Sequence, residues 1–413
     1  MIKPASGNLL KHLRASDIRG IAQLATQATA GVTGIVEDVH QSLWSTVGFR
    51  GNTSGQTSGI TGLVYASIHT VTKLLGKSID TVLATLQPLL ESTDETKPGS
   101  QEREAFLAAL NGILGDHLLA SDNPLAIPMS LRYRGEALNW PALPSMPEAT
   151  GKVLLLIHGL CMNDLQWQMQ DGDQIVDHGK TLASALNSTP VYARYNSGLH
   201  ISQNGQDLSE HLEQLLTYWP VPMEELTVVA HSMGGLLIRS AVHYARQHAL
   251  RWPERLKSIV FLGTPHHGAP LERAGSRIDA LLGSTLFTAP FARLGKLRSA
   301  GITDLRYGFL LDEDWRGRDR FQRKTDTRQR VPLPEGVACY AIAATTAASR
   351  SILADRLIGD GLVPLRSALG QHHDSELNLG FPKSAQRIFF RVKHIELLIR
   401  PEIAQQMLKW LLQ

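Results

Sequence analysis

The spacing of apolar residues divides the chain into two textures. From about residue 15 to 120 the apolar positions recur as they do on helices. Ile60, Leu63, Val64, Ile68, Val71, Leu75, Ile79, Val82, Leu83, Leu86 and Leu89 fall at steps of three and four, one stripe of an amphipathic helix. Pro88 stands near its end, and Pro98-Gly99 falls in the loop beyond. A further helix is predicted over residues 102–119. The stripe is expected to pack on neighbouring protein. The alternative, contact with a membrane or cover over an apolar substrate site, fits less well because the polar face carries few lysines and arginines.

From about residue 128, short apolar runs alternate with amphipathic stretches. Strands are predicted at 130–133, 152–157, 190–195, 226–230, 258–262, 337–343 and 387–392. Helices are predicted at 181–186, at 208–219, from about Gly234 onward, and at 403–412. Apolar strands alternating with helices predict an α/β fold with a mostly parallel central sheet covered on both faces. Residues 1–127 therefore read as a helical N-terminal region and residues 128–413 as an α/β domain. A long insertion, residues 269–334, separates two of its strands.

Composition narrows the function classes. With 413 residues, 43% hydrophobic and 19% charged, the chain can bury a large core. A net charge of +3 is too small to argue for nucleic acid. Two cysteines, Cys161 and Cys339, do not make a disulfide framework, and reduced thiols are expected. Lys3, Lys11 and Arg14 are not followed by an apolar run, and no stretch suffices to span a bilayer. A cytoplasmic protein is expected, with peripheral membrane contact left open. Oligomeric state is not legible.

The chemistry centres on the run 226–230, which leads into His231-Ser232-Met233-Gly234-Gly235. A buried strand, a turn of small residues and a helix are what a nucleophile elbow requires. Ala230 stands where a glycine is usual, and one methyl fits. Such a turn lifts the Ser232 hydroxyl above the sheet and aims the Met233 amide at the same space. The plainer reading makes Ser232 a helix cap.

A serine hydroxyl needs a base, and the base needs an orienting group. Two segments follow in the order this architecture demands. Asp360 sits between Gly359 and Gly361, and His394 follows the last strand. Taken singly, Asp360 reads as a turn aspartate and His394 as a surface histidine. Order and strand context select them over Asp355, Asp374 and Glu396, and over His372 and His373. His394 is then the base and Asp360 the group that orients it.

An oxyanion needs a second donor besides Met233. The loop His158-Gly159-Leu160-Cys161-Met162-Asn163 follows the first buried strand and points to the amide of Leu160. His158 is expected to brace this loop, and Cys161 to be a packed thiol. His158, Asn163, Trp167 and His231 are assigned to the substrate pocket. His266 and His267 read as structural or pocket-forming. No carboxylate or cysteine completes a ligand set beside them, so no metal is expected.

Together the motifs at 158–160, 230–235, 263–268, 360–364 and 394 resemble the α/β-hydrolase superfamily. Among its members they are similar to bacterial triacylglycerol lipases and to GPI inositol-deacylase-like lipases. The resemblance covers roughly the last two thirds of the chain. It implies the α/β-hydrolase fold and carboxylic-ester hydrolysis through an acyl-enzyme on Ser232, Asp360 and His394, with no cofactor. Some such lipases hold a structural calcium, but no matching pair of aspartates stands out here. In this fold an insertion such as 269–334 commonly forms a cap, and its apolar parts, 278–286 and 287–297, would suit an acyl chain. The arginine-rich run 316–330 reads as a solvated, charge-paired loop. The expected partner is a small-molecule or lipid ester. Two other readings stand beside hydrolysis: acyl transfer to an alcohol or thiol on the same triad, and a non-catalytic interaction protein that keeps the fold.

Overall fold

A computed structural model describes residues 16–17, 19–20, 101–140, 146–171, 174–269, 299–317, 326, 328–349 and 359–413. The apolar stripe at 60–89, most of the 1–127 region, and residues 270–298 and 318–325 of the insertion lie outside these.

In chain order the elements are α1 (Gln101–Ala120), β1 (Ser130–Tyr133), β2 (Glu136–Ala137), β3 (Lys152–Ile157), β4 (Gln168–Asp171), β5 (Gln174–Asp177), α2 (His178–Leu186), β6 (Thr189–Arg194), α3 (Ile201–Tyr218), β7 (Glu225–His231), α4 (Met233–Gln247), β8 (Leu256–Leu262), α5 (Ala300–Asp304), α6 (Asp312–Trp315), β9 (Ala338–Thr345), α7 (Leu365–Ala368), β10 (Gln386–Phe390) and α8 (Pro401–Leu411).

Among the described residues, eight strands form one sheet in the order β10-β9-β8-β7-β3-β6-β1-β2. The six from β10 to β6 run parallel, and β1 and β2 add an antiparallel edge. Strand β3 shows why the sheet is buried on both sides. Successive side chains point to opposite faces. Val153, Leu155 and Ile157 join one core, with Val228 and Ala230 of β7, while Leu154 and Leu156 join a second, with Val229 and Val260. Helices α1, α3 and α4 cover the first face through residues such as Ile113, Leu208 and Leu237. Helices α2 and α8 cover the second through Leu182, Ile403 and Met407.

Predicted strands match within a few residues. Helix α3 begins at Ile201, well before the predicted 208, because its first turns bury polar groups (Ser202, Asn204) that interrupt the apolar pattern. The short β2 and the β4–β5 hairpin carried no periodic signal. Helix α1 belongs to the first core through Leu110, Ile113 and Leu118. The described part of the insertion is also bound into the body. Ser299 Oγ donates to the Gly112 carbonyl of α1 at 2.6 Å, and Ser240 Oγ of α4 donates to the Leu310 carbonyl at 2.7 Å. Among the described residues no helix is long and apolar enough to cross a membrane.

The parallel strands put the loops after β3, β7, β8, β9 and β10 at one sheet edge. Chain order reverses beside β3, between β6 and β7. In open α/β sheets such a switch point opens a crevice beyond the carboxyl ends of the strands.

Candidate active site

Ser232 links β7 to α4 with φ 54° and ψ −123°, a backbone state that non-glycine residues rarely adopt. Holding it costs on the order of 1–3 kcal/mol. Surrounding contacts impose it. The Ser232 N–H donates to the Leu262 carbonyl of β8 at 2.8 Å, and a Cβ on Gly234 would lie 2.6 Å from the His158 carbonyl oxygen. Only a bare backbone can pass there. Ala230 is fully buried between Ile157 and Phe261, so the alanine of the motif is accommodated within the sheet. Met233 is the first residue of α4, whose leading N–H groups have no partner within the helix. Ser232 makes no side-chain cap bond, so the capping reading does not describe it.

Asp360 and His394, 34 residues apart, meet at this edge. His394 Nδ1 lies 2.7 Å from Asp360 Oδ2, and the His394 N–H donates to the Asp360 carbonyl at 3.0 Å. The other carboxylate oxygen, Oδ1, accepts from the Leu362 and Val363 amides at 3.0 and 2.8 Å. Both side chains are buried. Flanking glycines make this possible: Gly359 has φ +50°, and a Cβ there would sit 1.9 Å from the Val363 carbonyl oxygen. With Nδ1 taken by the carboxylate, Nε2 is buried and has no hydrogen-bond partner.

The imidazole of His394 packs beside the elbow. A Cβ on Gly263, the residue after the carbonyl that holds Ser232, would lie 3.1 Å from His394 Cε1. The rings of His231 and His394 are 4.7 Å apart. Nε2 makes no hydrogen bond to Ser232 Oγ. Proton-transfer contacts of this kind commonly tighten only in the substrate complex.

The loop after β3 completes the edge. Gly159 passes so close that a Cβ there would lie 3.0 Å from Ser232 Cβ. Leu160 is buried next to it, and Cys161 adopts φ +59° with its N–H on Ser197 Oγ at 3.0 Å. Helix α1 presses on this turn, since a Cβ on Gly112 would meet Cys161 Sγ at 2.3 Å. His158 stacks on Tyr195 with ring centres 4.2 Å apart, and the Tyr195 hydroxyl donates to the His158 carbonyl at 2.9 Å. Tyr195 was not singled out in the sequence, because it ends an ordinary strand pattern.

This is the α/β-hydrolase fold. Residues 148–329 match the family described as PGAP1-like alpha/beta domain, less than half of the chain. The matched region holds Ser232 and ends before Asp360 and His394. Among solved structures, a mature Bacillus licheniformis lipase is similar over 69% of this chain and 99% of its own, at 16% identity and TM-score 0.42. Lipase B of Aspergillus fumigatus is similar over 97% and 86%, at 11% identity and TM-score 0.43. A Pyrococcus furiosus esterase is similar over 64% and 79%, at 11% identity and TM-score 0.35. No curated protein sequence matches the chain.

Elsewhere on the sheet, the rival residues have other engagements. Asp374 caps a short turn through the Glu376 amide, Glu396 accepts from the Lys393 amide, and Asp355 lies outside the described residues. His372 approaches Asp326 at 4.0 Å, away from the elbow. Two pocket assignments acquire structural roles. Asn163 caps the 164–167 turn through the Leu165 amide, and Trp167 is buried in the second core. His158 and His231 lie at the elbow. Burial pushes His158 down to about 3, and burial with His394 alongside holds His231 well below the ordinary imidazole range. Both are neutral at pH 7. Burial likewise raises the Cys161 thiol to about 12, so it is no nucleophile. Among the described residues no group of three or more His, Cys, Asp or Glu is placed to hold a metal ion.

Proposed function

We propose that this protein is a serine hydrolase that cleaves carboxylic esters through an acyl-enzyme. The observation that carries the reading is the orientation of His394. Asp360 occupies Nδ1, so a buried Nε2 without a partner is left beside a serine held at φ 54°.

In this reading His394 Nε2 takes the Ser232 proton as Oγ attacks the ester carbonyl carbon. The carbonyl oxygen gathers negative charge and accepts from the amides of Met233 and Leu160, each worth about 3–4 kcal/mol of transition-state stabilisation. Collapse of the intermediate breaks the ester C–O bond. His394 returns its proton to the departing alcohol. Water, deprotonated by the same nitrogen, then attacks the acyl-serine; the acyl carbon–Oγ bond breaks, His394 returns the proton to Ser232 Oγ, and the acid is released. Asp360 orients the ring and stabilises the imidazolium in both halves. Acyl transfer would differ only in the acceptor that replaces water.

The test is turnover of p-nitrophenyl esters with short, medium and long acyl chains by wild type and Ser232→Ala, paired with fluorophosphonate labelling. Wild type is expected to turn over and to label at Ser232. Equal rates in the two proteins, or folded wild type that does not label, would overturn the proposal.

A further inference from the structure

Behind the elbow, two turns along α4 from Ser232, two arginines are buried around one cavity. We propose that this cavity, between Arg239 of α4 and Arg328 of the segment returning from the insertion, binds a small inorganic anion.

The case starts from charge. Arg239 is only 4% exposed. Its Nη2 donates to the Val331 carbonyl, its Nη1 lies 3.4 Å from His266 Nδ1, and its Nε has no hydrogen-bond partner. No carboxylate among the described residues pairs with it. The Arg328 side chain is equally buried. Its Nη1 donates to the carbonyls of Tyr307 and His266, and its Nε is unpartnered. Two carboxylates act on Arg328: Asp326, 3.2 Å from Nη2, and the buried Asp314, whose oxygens accept from the amides of Leu310, Leu311 and Gln329. Glu376 also lines the cavity, but it pairs at 2.9 Å with exposed Arg330 at the rim.

Among the described residues, the groups beside Arg239 add no negative charge. Burial raises the Cys339 thiol to about 12, so it stays protonated at pH 7. Burial, with Arg239 beside it, holds His266 well below its ordinary value, so it is neutral. Burial and the adjacent Arg328 pull Arg239 itself down to about 9, still cationic at pH 7. Both carboxylates stand by Arg328, and among the described residues Arg239 has none of its own. An uncompensated buried charge is costly, and both Nε–H groups lack an acceptor. An anion between them would answer both deficits.

Size sets the class. The cavity measures about 20 Å³, above the roughly 10–15 Å³ that one water needs. A space of that size suits chloride or a single inorganic oxyanion. Bound there, the ion would tie residues 328–331 to α4. The arginine run thus departs from a purely solvated loop: Arg316 and Arg330 are exposed and paired, whereas Arg328 is buried.

The experiment is thermal unfolding of the full chain at constant ionic strength. Sodium gluconate, too large for the cavity, is exchanged for chloride in one arm and for phosphate in another. Wild type should gain roughly 1.5 °C for each tenfold rise in the binding anion above its Kd. Arg328→Gln and Arg239→Met should abolish the gain. If Arg239→Met does not fold, Arg328→Gln carries the comparison. A bromide-grown crystal should show anomalous density between the two guanidinium groups. The proposal is overturned by equal midpoints in all three salts, by the same salt response in Arg328→Gln, or by a crystal with water or one of this chain's own carboxylates in the cavity.

Discussion

Replacing Asp360 by asparagine separates the shape of the Asp360 loop from its charge. The exchange keeps the volume and keeps one oxygen. That oxygen is needed by the Leu362 and Val363 amides, which approach Oδ1 at 3.0 and 2.8 Å. The new NH₂ group must then face His394 Nδ1, where Oδ2 accepted at 2.7 Å. Two donors cannot meet, so His394 turns to the tautomer protonated at Nε2. That nitrogen can no longer accept the Ser232 proton. The expected loss in kcat is about 10⁴-fold, about 5 kcal/mol at the barrier. Folding stability should fall by only about 1 kcal/mol, since both amide bonds survive. Asp360→Ala is the contrasting control: it strands two amides and the imidazole in a buried site and should cost about 3 kcal/mol or more of stability. The assay is p-nitrophenyl ester turnover together with urea unfolding of all three proteins. If Asp360→Asn stays folded and retains activity within tenfold of wild type, the orienting role of Asp360 is refuted.

Other expectations concern backbone and pH. Gly159→Ala would push a methyl to 3.0 Å from Ser232 Cβ and displace the loop bearing the Leu160 amide; kcat should drop roughly 10–100-fold, and unchanged turnover would count against that loop as a donor. Ser232→Gly should abolish turnover yet stabilise the protein by about 1 kcal/mol, because glycine tolerates φ 54°; a lower midpoint in urea would contradict the strain argument. Buried neutral histidines also make stability depend on pH. His158 titrates near 3 when folded against 6.5 in the unfolded chain. The unfolded state therefore takes up protons first. Stability is complete above about pH 6.5 and falls toward pH 3, by up to about 1.4 kcal/mol per pH unit for each such histidine. Urea midpoints that stay flat between about pH 7 and 5 would refute this.

Local physics made much of the molecule readable from its residues. The parallel strands were visible because a strand buried on both faces must be apolar at every position, as Val153–Ile157 are. The elbow was visible because a backbone forced to φ 54° beside two neighbouring strands excludes bulk at Gly234. Asp360 and His394 were legible as types in the right order. Their pairing was expected from that order, but the 2.7 Å contact itself, across 34 residues, depends on the sheet bringing two loops to one edge. The same limit hid Tyr195 under His158 and the pressure of α1 on Cys161. It also hid the burial of Arg328. A run of arginines looks solvated in a string of letters, because exposure is a property of what packs against a side chain, and only the folded chain decides that.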